Sequence, residues 1–209
     1  MKHLAIVGNI GSGKTTLTRR LASHYDWKAT FESTDDNPYL SDFYSDMHSW
    51  AFHLQIYFLN NRFQQVRHIQ ESHTPVVQDR TIYEDAHIFA SNLHRQGILS
   101  DRDFRNYYSM YESIIGAVTP PDLLLYLKAD LPRLQQQIRK RGRDYEANMD
   151  PSYLEGLNEL YAEWITRYDH SPVVVLDMNE LDFVQREADF QHVLSQIESF
   201  KGGSLTAKV

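Results

Sequence analysis

The sequence predicts a three-layer α/β fold: a five-stranded parallel sheet with helices on both faces and a basic lid loop at the sheet's carboxyl edge. Three observations predict it. Strand-like apolar runs alternate with helix-like runs along the 209 residues, the order that builds a parallel sheet from crossover units. The third and fourth strand runs are short and apolar without alternation, as strands buried on both faces are. Between the first strand and the first helix stands Gly8-Asn9-Ile10-Gly11-Ser12-Gly13-Lys14-Thr15-Thr16, which fills the pattern G-x-x-x-x-G-K-[ST] in the setting that pattern requires.

The elements follow in order. His3–Val7 reads as the first strand, leading through the glycine loop into a helix over Lys14–His24. Trp27–Phe31 is the second strand. A long helix over Ser49–Ser72 carries an aromatic stripe of Trp50, Phe52, Tyr57, Phe58 and Phe63, a pattern that marks core more often than a ligand platform. Pro75–Gln78 is the third strand, followed by helices over Tyr83–Arg95 and Asp101–Val118. Asp122–Leu127 is the fourth strand, then come helices over Leu131–Arg139 and Ser152–Asp169. Val173–Leu176 is the last strand and Phe183–Phe200 the last helix, with 201–209 as a frayed polar tail. No repeat or low-complexity linker divides the chain, so residues 1–209 form one domain.

The glycine loop has a direct chemical meaning. Its successive backbone N–H groups can wrap a polyphosphate, and the helix that follows adds the positive end of its dipole. Lys14 would reach the terminal phosphates and the Thr15 hydroxyl would hold Mg²⁺, so the chain is expected to bind a nucleoside triphosphate. A net charge of −7 argues against general nucleic-acid or membrane binding. The absence of cysteine excludes disulfides, thiolate catalysis and thiolate metal sites. With no leader-like start and no apolar run near the length of a membrane span, the expected location is the cytoplasm.

Ligands of such sheets bind beyond the carboxyl ends of the strands. Glu32 follows the second strand and Asp79-Arg80 the third, so all three face the triphosphate crevice. A carboxylate there can accept a hydroxyl proton or hold Mg²⁺, and an arginine can offset charge on a transferring phosphoryl group. Arg139-Lys140-Arg141-Gly142-Arg143 sets four cations within five residues of an acidic chain. Such a run commonly marks a solvated helix end, but on the ligand side of the sheet, with Gly142 as a hinge, it reads as a loop that closes over phosphates. Gln55 and Arg62, seven residues apart, share one helical face, where an amide and a guanidinium could read a base edge.

Together these motifs resemble the deoxynucleoside kinase family, whose members have a P-loop NTPase-type fold and move the γ-phosphoryl of ATP to the 5′-hydroxyl of a deoxynucleoside. The resemblance runs from Leu4 to about Trp164. It takes in Gly8–Thr16, Glu32, the stretch from Asn37 to Tyr44, Trp50–Gln55, Arg62, Asp79–Asp85, Phe89–Leu93 and Arg141–Glu146, and it is nearest to the bacterial deoxyadenosine/deoxyguanosine kinases. It implies that Glu32 is the general base, that Arg80 stabilises it and the phosphoryl group, and that Tyr44 and Glu146 hold the sugar 3′-hydroxyl. Gln55 would pair with the base, Arg62 and Asp85 would form a charged rim about its exocyclic group, and Arg141 and Arg143 would be lid cations on the phosphates. Asp79 resembles an acidic residue that helps hold Mg²⁺, with proton acceptor as its other reading. The family also implies a homodimer formed through long helices, for which Phe104, Tyr107, Tyr108, Tyr111, Ile114 and Ile115 supply an apolar face; the same face would serve as internal core.

Two departures bear on chemistry. Asp79 and Thr81 stand where many animal members have glutamate and serine, and Leu54 stands where several have a stacking phenylalanine, leaving room for a purine. An acceptor at Asp85 favours bases with an exocyclic amino group and rejects the O4 of thymine, which would leave its charge unpaired. Deoxyadenosine is therefore expected first, deoxyguanosine or deoxycytidine second and thymidine last. A kinase of nucleoside monophosphates shares the loop, the Asp-Arg pair and the lid, but Glu32 puts an anion where that acceptor's phosphate would lie. A non-catalytic nucleotide switch for guanine would carry Asn-Lys-x-Asp, which the sequence lacks.

Overall fold

The computed structural model describes residues 1–32, 37–143, 146 and 149–201. Five strands, β1 (His3–Gly8), β2 (Lys28–Thr30), β3 (Val76–Asp79), β4 (Leu123–Lys128) and β5 (Val173–Asp177), form one sheet in the order β2-β3-β1-β4-β5. Every pairing is parallel. The three central strands lie within the apolar interior, which is why their sequences show no alternation.

Strand pleating sorts these side chains into two cores. Leu4 and Ile6 of β1 with Leu123, Leu125 and Leu127 of β4 pack under α1 (Lys14–Tyr25) and α9 (Glu187–Lys201), through Leu17, Leu21, Val193 and Ile197. Ala5, Val7, Leu124 and Tyr126 face the other way, into a thicker layer. That layer holds α3 (Met47–Glu71), a helical segment over residues 82–95, α6 (Asp101–Ile115) and α8 (Pro151–Ile165). Short α2 (Leu40–Ser45) packs on α3, and α7 (Leu131–Arg141) follows β4.

Register positions the ligand edge. Ile6 of β1 lies opposite Asp79 of β3, and Gly8 lies opposite Leu127 of β4, so the glycine loop leaves the sheet beside Asp79. The loop is wound by positive φ at Gly8, Gly11 and Gly13, of 147°, 83° and 99°. A Cβ on Gly8 would also come within 2.7 Å of the Leu127 carbonyl, so no larger residue fits there.

The helices depart from the sequence reading at identifiable points. α3 starts two residues before Ser49, because the Asp46 side chain accepts from the Ser49 N–H at 3.2 Å and caps it. α2 was not expected as a helix, being too short to show a period. The helix expected over Tyr83–Arg95 is three pieces: α4 (Ile82–Glu84), a π-helical turn (Asp85–Ala90) and α5 (Ser91–Arg95). α6 ends at Ile115 and α8 at Ile165, each short of expectation. The last helix begins at Glu187, so Phe183 lies in the turn before it. The tail predicted over 201–209 falls, beyond Lys201, outside the described residues. Among the described residues no helix is long and apolar enough to cross a membrane.

Candidate active site

The glycine loop, Glu32, the Asp79-Arg80 pair and the π-helical turn converge on one cavity of about 270 Å³. Its walls carry Lys14, Thr15, Glu32, Tyr44, Gln55, Asp79, Arg80, Asp85, Arg141, Arg143 and Glu146. Residues from seven separate stretches of chain thus meet where the strands end, as the topology of a parallel sheet directs.

At the glycine loop, the Asn9 side chain ties the chain to α8 by donating to the Leu154 carbonyl at 2.9 Å and to Asn158 Oδ1 at 2.6 Å. Its Oδ1 accepts from the Ile10 N–H. Lys14 Nζ donates to the Asn9 carbonyl at 2.9 Å. Burial, reinforced by the Arg80 cation, lowers the Lys14 pKa to about 7. Thr15 Oγ1 donates to Asp79 Oδ2 at 2.6 Å, while Asp79 Oδ1 is buried without a hydrogen-bond partner. An orphaned carboxylate oxygen beside a hydroxyl is a donor pair that suits Mg²⁺, which takes one or two protein oxygens and fills the rest from phosphates and water. Ser12 and Thr16, the latter with Gly11 and Gly13, line a smaller cavity on the other side of the loop, closed by Arg133, Lys140 and the turn from Leu181 to Gln185.

Around Glu32 the charges are tightly set. Its Oε1 accepts from Arg62 Nη2 at 3.0 Å and forms an ion pair with Arg80 Nε at 3.1 Å, which lacks hydrogen-bond alignment. Burial by itself would raise the Glu32 pKa, but Arg80, Arg62 and Lys14 outweigh it and draw the carboxyl down to about 2. Arg62 continues to Asp85, with Nε 3.4 Å from Oδ2. Asp85 is pushed up to about 6 by burial, against the pull of Arg62. Arg62, expected with Asp85 about the base, is only 2% exposed and bridges Asp85 and Glu32. The long guanidinium stem folds inward because three acceptors, including the Asp79 carbonyl, await it in the interior.

One wall of the cavity is aromatic. Phe31, Phe43, Phe58 and Phe89 line the cavity with Leu54 and Gln55. Gln55 is 2% exposed and its Oε1 has no partner, a buried acceptor facing an otherwise apolar wall. The π-helical turn is what aims Asp85 and Phe89 into this space, with Ser91 Oγ bonding the Ala86 carbonyl across the widened turn at 2.8 Å. At the lid, α7 ends on Gly142 at φ 67°. Arg141 Nη2 meets Glu146 Oε1 at 2.5 Å, and Arg143 Nη1 lies 3.7 Å from the same oxygen. Asp144 and Tyr145 of the quoted motif fall outside the described residues.

Two residues of this centre carried no role in the sequence reading. Glu84 is completely buried beneath Arg80 and Gly8, and Tyr161 of α8 touches both. Glu84 stood in plain view three residues after Thr81, the spacing of a helix-capping glutamate, and its carboxylate accepts from the Thr81 N–H at 2.8 Å. Tyr161 gave no local signal, since only the fold brings α8 to the loop.

Comparisons with known proteins agree with this geometry. The pattern of the deoxynucleoside kinase family matches residues 4–201. The chain is similar to the deoxyadenosine/deoxycytidine kinase of Bacillus subtilis, with 38% identity over 200 residues, 94% of this chain and 91% of that protein. It is 37% identical over 206 residues to the deoxyguanosine kinase of Lactobacillus acidophilus, covering 94% and 90% of the two chains. Among solved structures, the deoxyadenosine kinase of M. mycoides with bound dCTP superposes with a TM-score of 0.84 at 27% identity, over 94% of this chain and 99% of that one. The same enzyme with bound dATP gives 0.84 at 26% identity, over 95% and 100%.

Proposed function

The chain belongs to the deoxynucleoside kinase family and phosphorylates deoxynucleosides, and from that premise we propose that it transfers the γ-phosphoryl of ATP to the 5′-hydroxyl of deoxyadenosine. The observation that supports this most is the pairing of cavities: the glycine loop separates a small cavity from a larger one that holds Glu32, Arg80 and an aromatic wall. A donor base in the small cavity and an acceptor nucleoside in the large one would bring the transferring phosphoryl over Lys14. Phosphoryl transfer asks chiefly for such positioning and for charge stabilisation.

Glu32 is the proton acceptor in this reading. Its Oε1 is held by two arginines, which leaves Oε2 for the 5′-hydroxyl. Asp79, bonded to Thr15, is on the metal side instead. Thr15 and Asp79 would hold Mg²⁺, which when bound would supply positive charge against that developing on the transferring phosphoryl. Lys14 exchanges the Asn9 carbonyl for phosphate oxygens, and Arg141 and Glu146 exchange each other for phosphate and the sugar 3′-hydroxyl, near Tyr44. Gln55 pairs with the base through its unpartnered amide oxygen. Asp85 ranks deoxyadenosine first, deoxyguanosine or deoxycytidine next and thymidine last. The biological setting is nucleotide salvage in the cytoplasm, by a homodimer.

The test is an initial-rate assay with ATP and Mg²⁺ over the four deoxynucleosides, with dAMP and dTMP alongside. Glu32→Gln keeps the shape and removes the base, and should lower kcat by roughly 10²–10⁴-fold. Turnover of a monophosphate alone would overturn the acceptor, and an unchanged Glu32→Gln would overturn the base.

A further inference from the structure

Two features at the foot of the active site go beyond that reading. Arg80 has φ 74°, in the left-handed region that a side-chain-bearing residue rarely occupies. Such backbone persists only where its surroundings over-determine it. Here the over-determining group is Glu84, which is fully buried. Its Oε1 accepts from Arg80 Nη1 at 3.2 Å and from the Gly8 N–H at 3.3 Å, and its Oε2 accepts from the Thr81 N–H at 2.8 Å. The Tyr161 hydroxyl lies 2.5 Å from the same Oε1 and 2.8 Å from the Gly8 carbonyl, and accepts from Arg80 Nη1 at 3.0 Å. Gly8 is thus held at both its N–H and its C=O.

We propose that Glu84 and Tyr161 form a positioning unit that ties Arg80, on the acceptor side, to Gly8, the first residue of the phosphate loop. The proposal rests on the reading of Arg80 as the cation shared by Glu32 and the transferring phosphoryl. A buried carboxylate, guanidinium and phenol add little stability over apolar packing of the same volume. What they add is geometry. Arg80 Nε faces Glu32 at 3.1 Å while its Nη1 is anchored on Glu84. The guanidinium plane is therefore fixed from its far edge, and the loop that carries the donor phosphates is fixed by the same oxygen. Burial and the neighbouring Glu84 charge hold the Tyr161 hydroxyl well above its usual range, so it remains a proton donor at every working pH. The unit sets the distance between donor loop and acceptor arginine, without touching either substrate.

The experiment compares Glu84→Gln, Tyr161→Phe and Arg80→Ala, alone and combined, in kcat, in KM for ATP and deoxyadenosine, and in melting temperature. Displacing a charge-stabilising group by about an ångström costs on the order of 10²-fold in rate. Glu84→Gln should therefore lower kcat by roughly 10–100-fold, with KM for deoxyadenosine moved less than about threefold. Because Glu84 acts through Arg80, the same change in the Arg80→Ala background should cost less than about twofold. An equal loss in both backgrounds, or an unchanged kcat in folded Glu84→Gln, overturns the proposal. Arg80→Ala with wild-type kcat overturns the premise about Arg80 instead, and is told apart because it is read on that single variant. Should Glu84→Gln fail to fold, Tyr161→Phe removes one hydroxyl only and carries the same comparison, with a loss of about tenfold expected.

Discussion

Glu32 shows how one carboxylate is assigned its protonation state by neighbours rather than by type. Two guanidiniums on one oxygen offset the burial that would otherwise neutralise it. Asp85, sharing Arg62 with it, is displaced the other way, to about 6. The sign matters for base choice. Above that pKa Asp85 is an acceptor and suits an exocyclic amino group; below it the carboxyl can donate to a carbonyl oxygen such as guanine O6. In the proposed site the deoxyguanosine-to-deoxyadenosine ratio in kcat/KM should therefore rise by up to roughly 10²-fold between about pH 7.5 and about pH 5.5, following the ratio of protonated to ionised Asp85. Asp85→Asn should flatten that profile. Lys14 makes a second prediction. With its pKa lowered to about 7 by burial, it is largely neutral at about pH 8, and a bound polyphosphate favours its charged form. Calorimetry in buffers of different ionisation enthalpy should show proton uptake on ATP binding at that pH, and Lys14→Arg should abolish the uptake. Arg62→Met should destabilise the fold by about 3–5 kcal/mol in denaturant titration, because it leaves Asp85 buried without its partner.

At the scale of elements, the segment over residues 82–95 illustrates what periodicity cannot carry. Its composition reads as one helix, yet the chain inserts a π-helical turn at Asp85–Ala90. The extra residue turns Asp85 and Phe89 toward the cavity and His87 toward Tyr111, whose hydroxyl is 3.2 Å from His87 Nε2. Nothing in a hydrophobic pattern distinguishes a turn of five residues from one of four when its neighbours on every side are apolar. The same limit applies at Arg62. Its spacing from Gln55 correctly puts both on one face of α3, and both are 2% exposed. Spacing could not say that Gln55 would face the cavity while Arg62 turned beneath it.

For the whole molecule, the layers decide which apolar faces are spent internally. On α6, Tyr107 and Tyr111 are buried at 0% and 3%, so part of the stripe that could have served a partner belongs to the core. Phe104, Tyr108, Ile114 and Ile115 are half-buried, and Met110 is 41% exposed. That remainder supports the proposed pairing through α6. Light scattering should give twice the 24.5 kDa chain mass, and Met110→Glu with Ile114→Glu should lower it toward the single chain.

The sequence by itself determined the sheet, the phosphate loop and the kind of chemistry. These depend on local signals: runs of β-branched and aliphatic residues, a glycine spacing forced by positive φ, and carboxylates placed where strands end. Five strands emerged within two residues of expectation at either end; burial on both faces leaves an apolar run in the three central ones, while β2 and β5 lie partly exposed at the edges. Only the tertiary structure decided how the charges divide. That Arg62 bridges Asp85 and Glu32, that Glu84 bonds Arg80 and Gly8 as well as capping its helix, and that Tyr161 reaches them both depend on contacts between residues up to 153 positions apart. Such contacts arise from packing three layers at once. The electrostatic energy of a buried ion depends on every neighbour within a few ångströms, and no one-dimensional pattern records that neighbourhood.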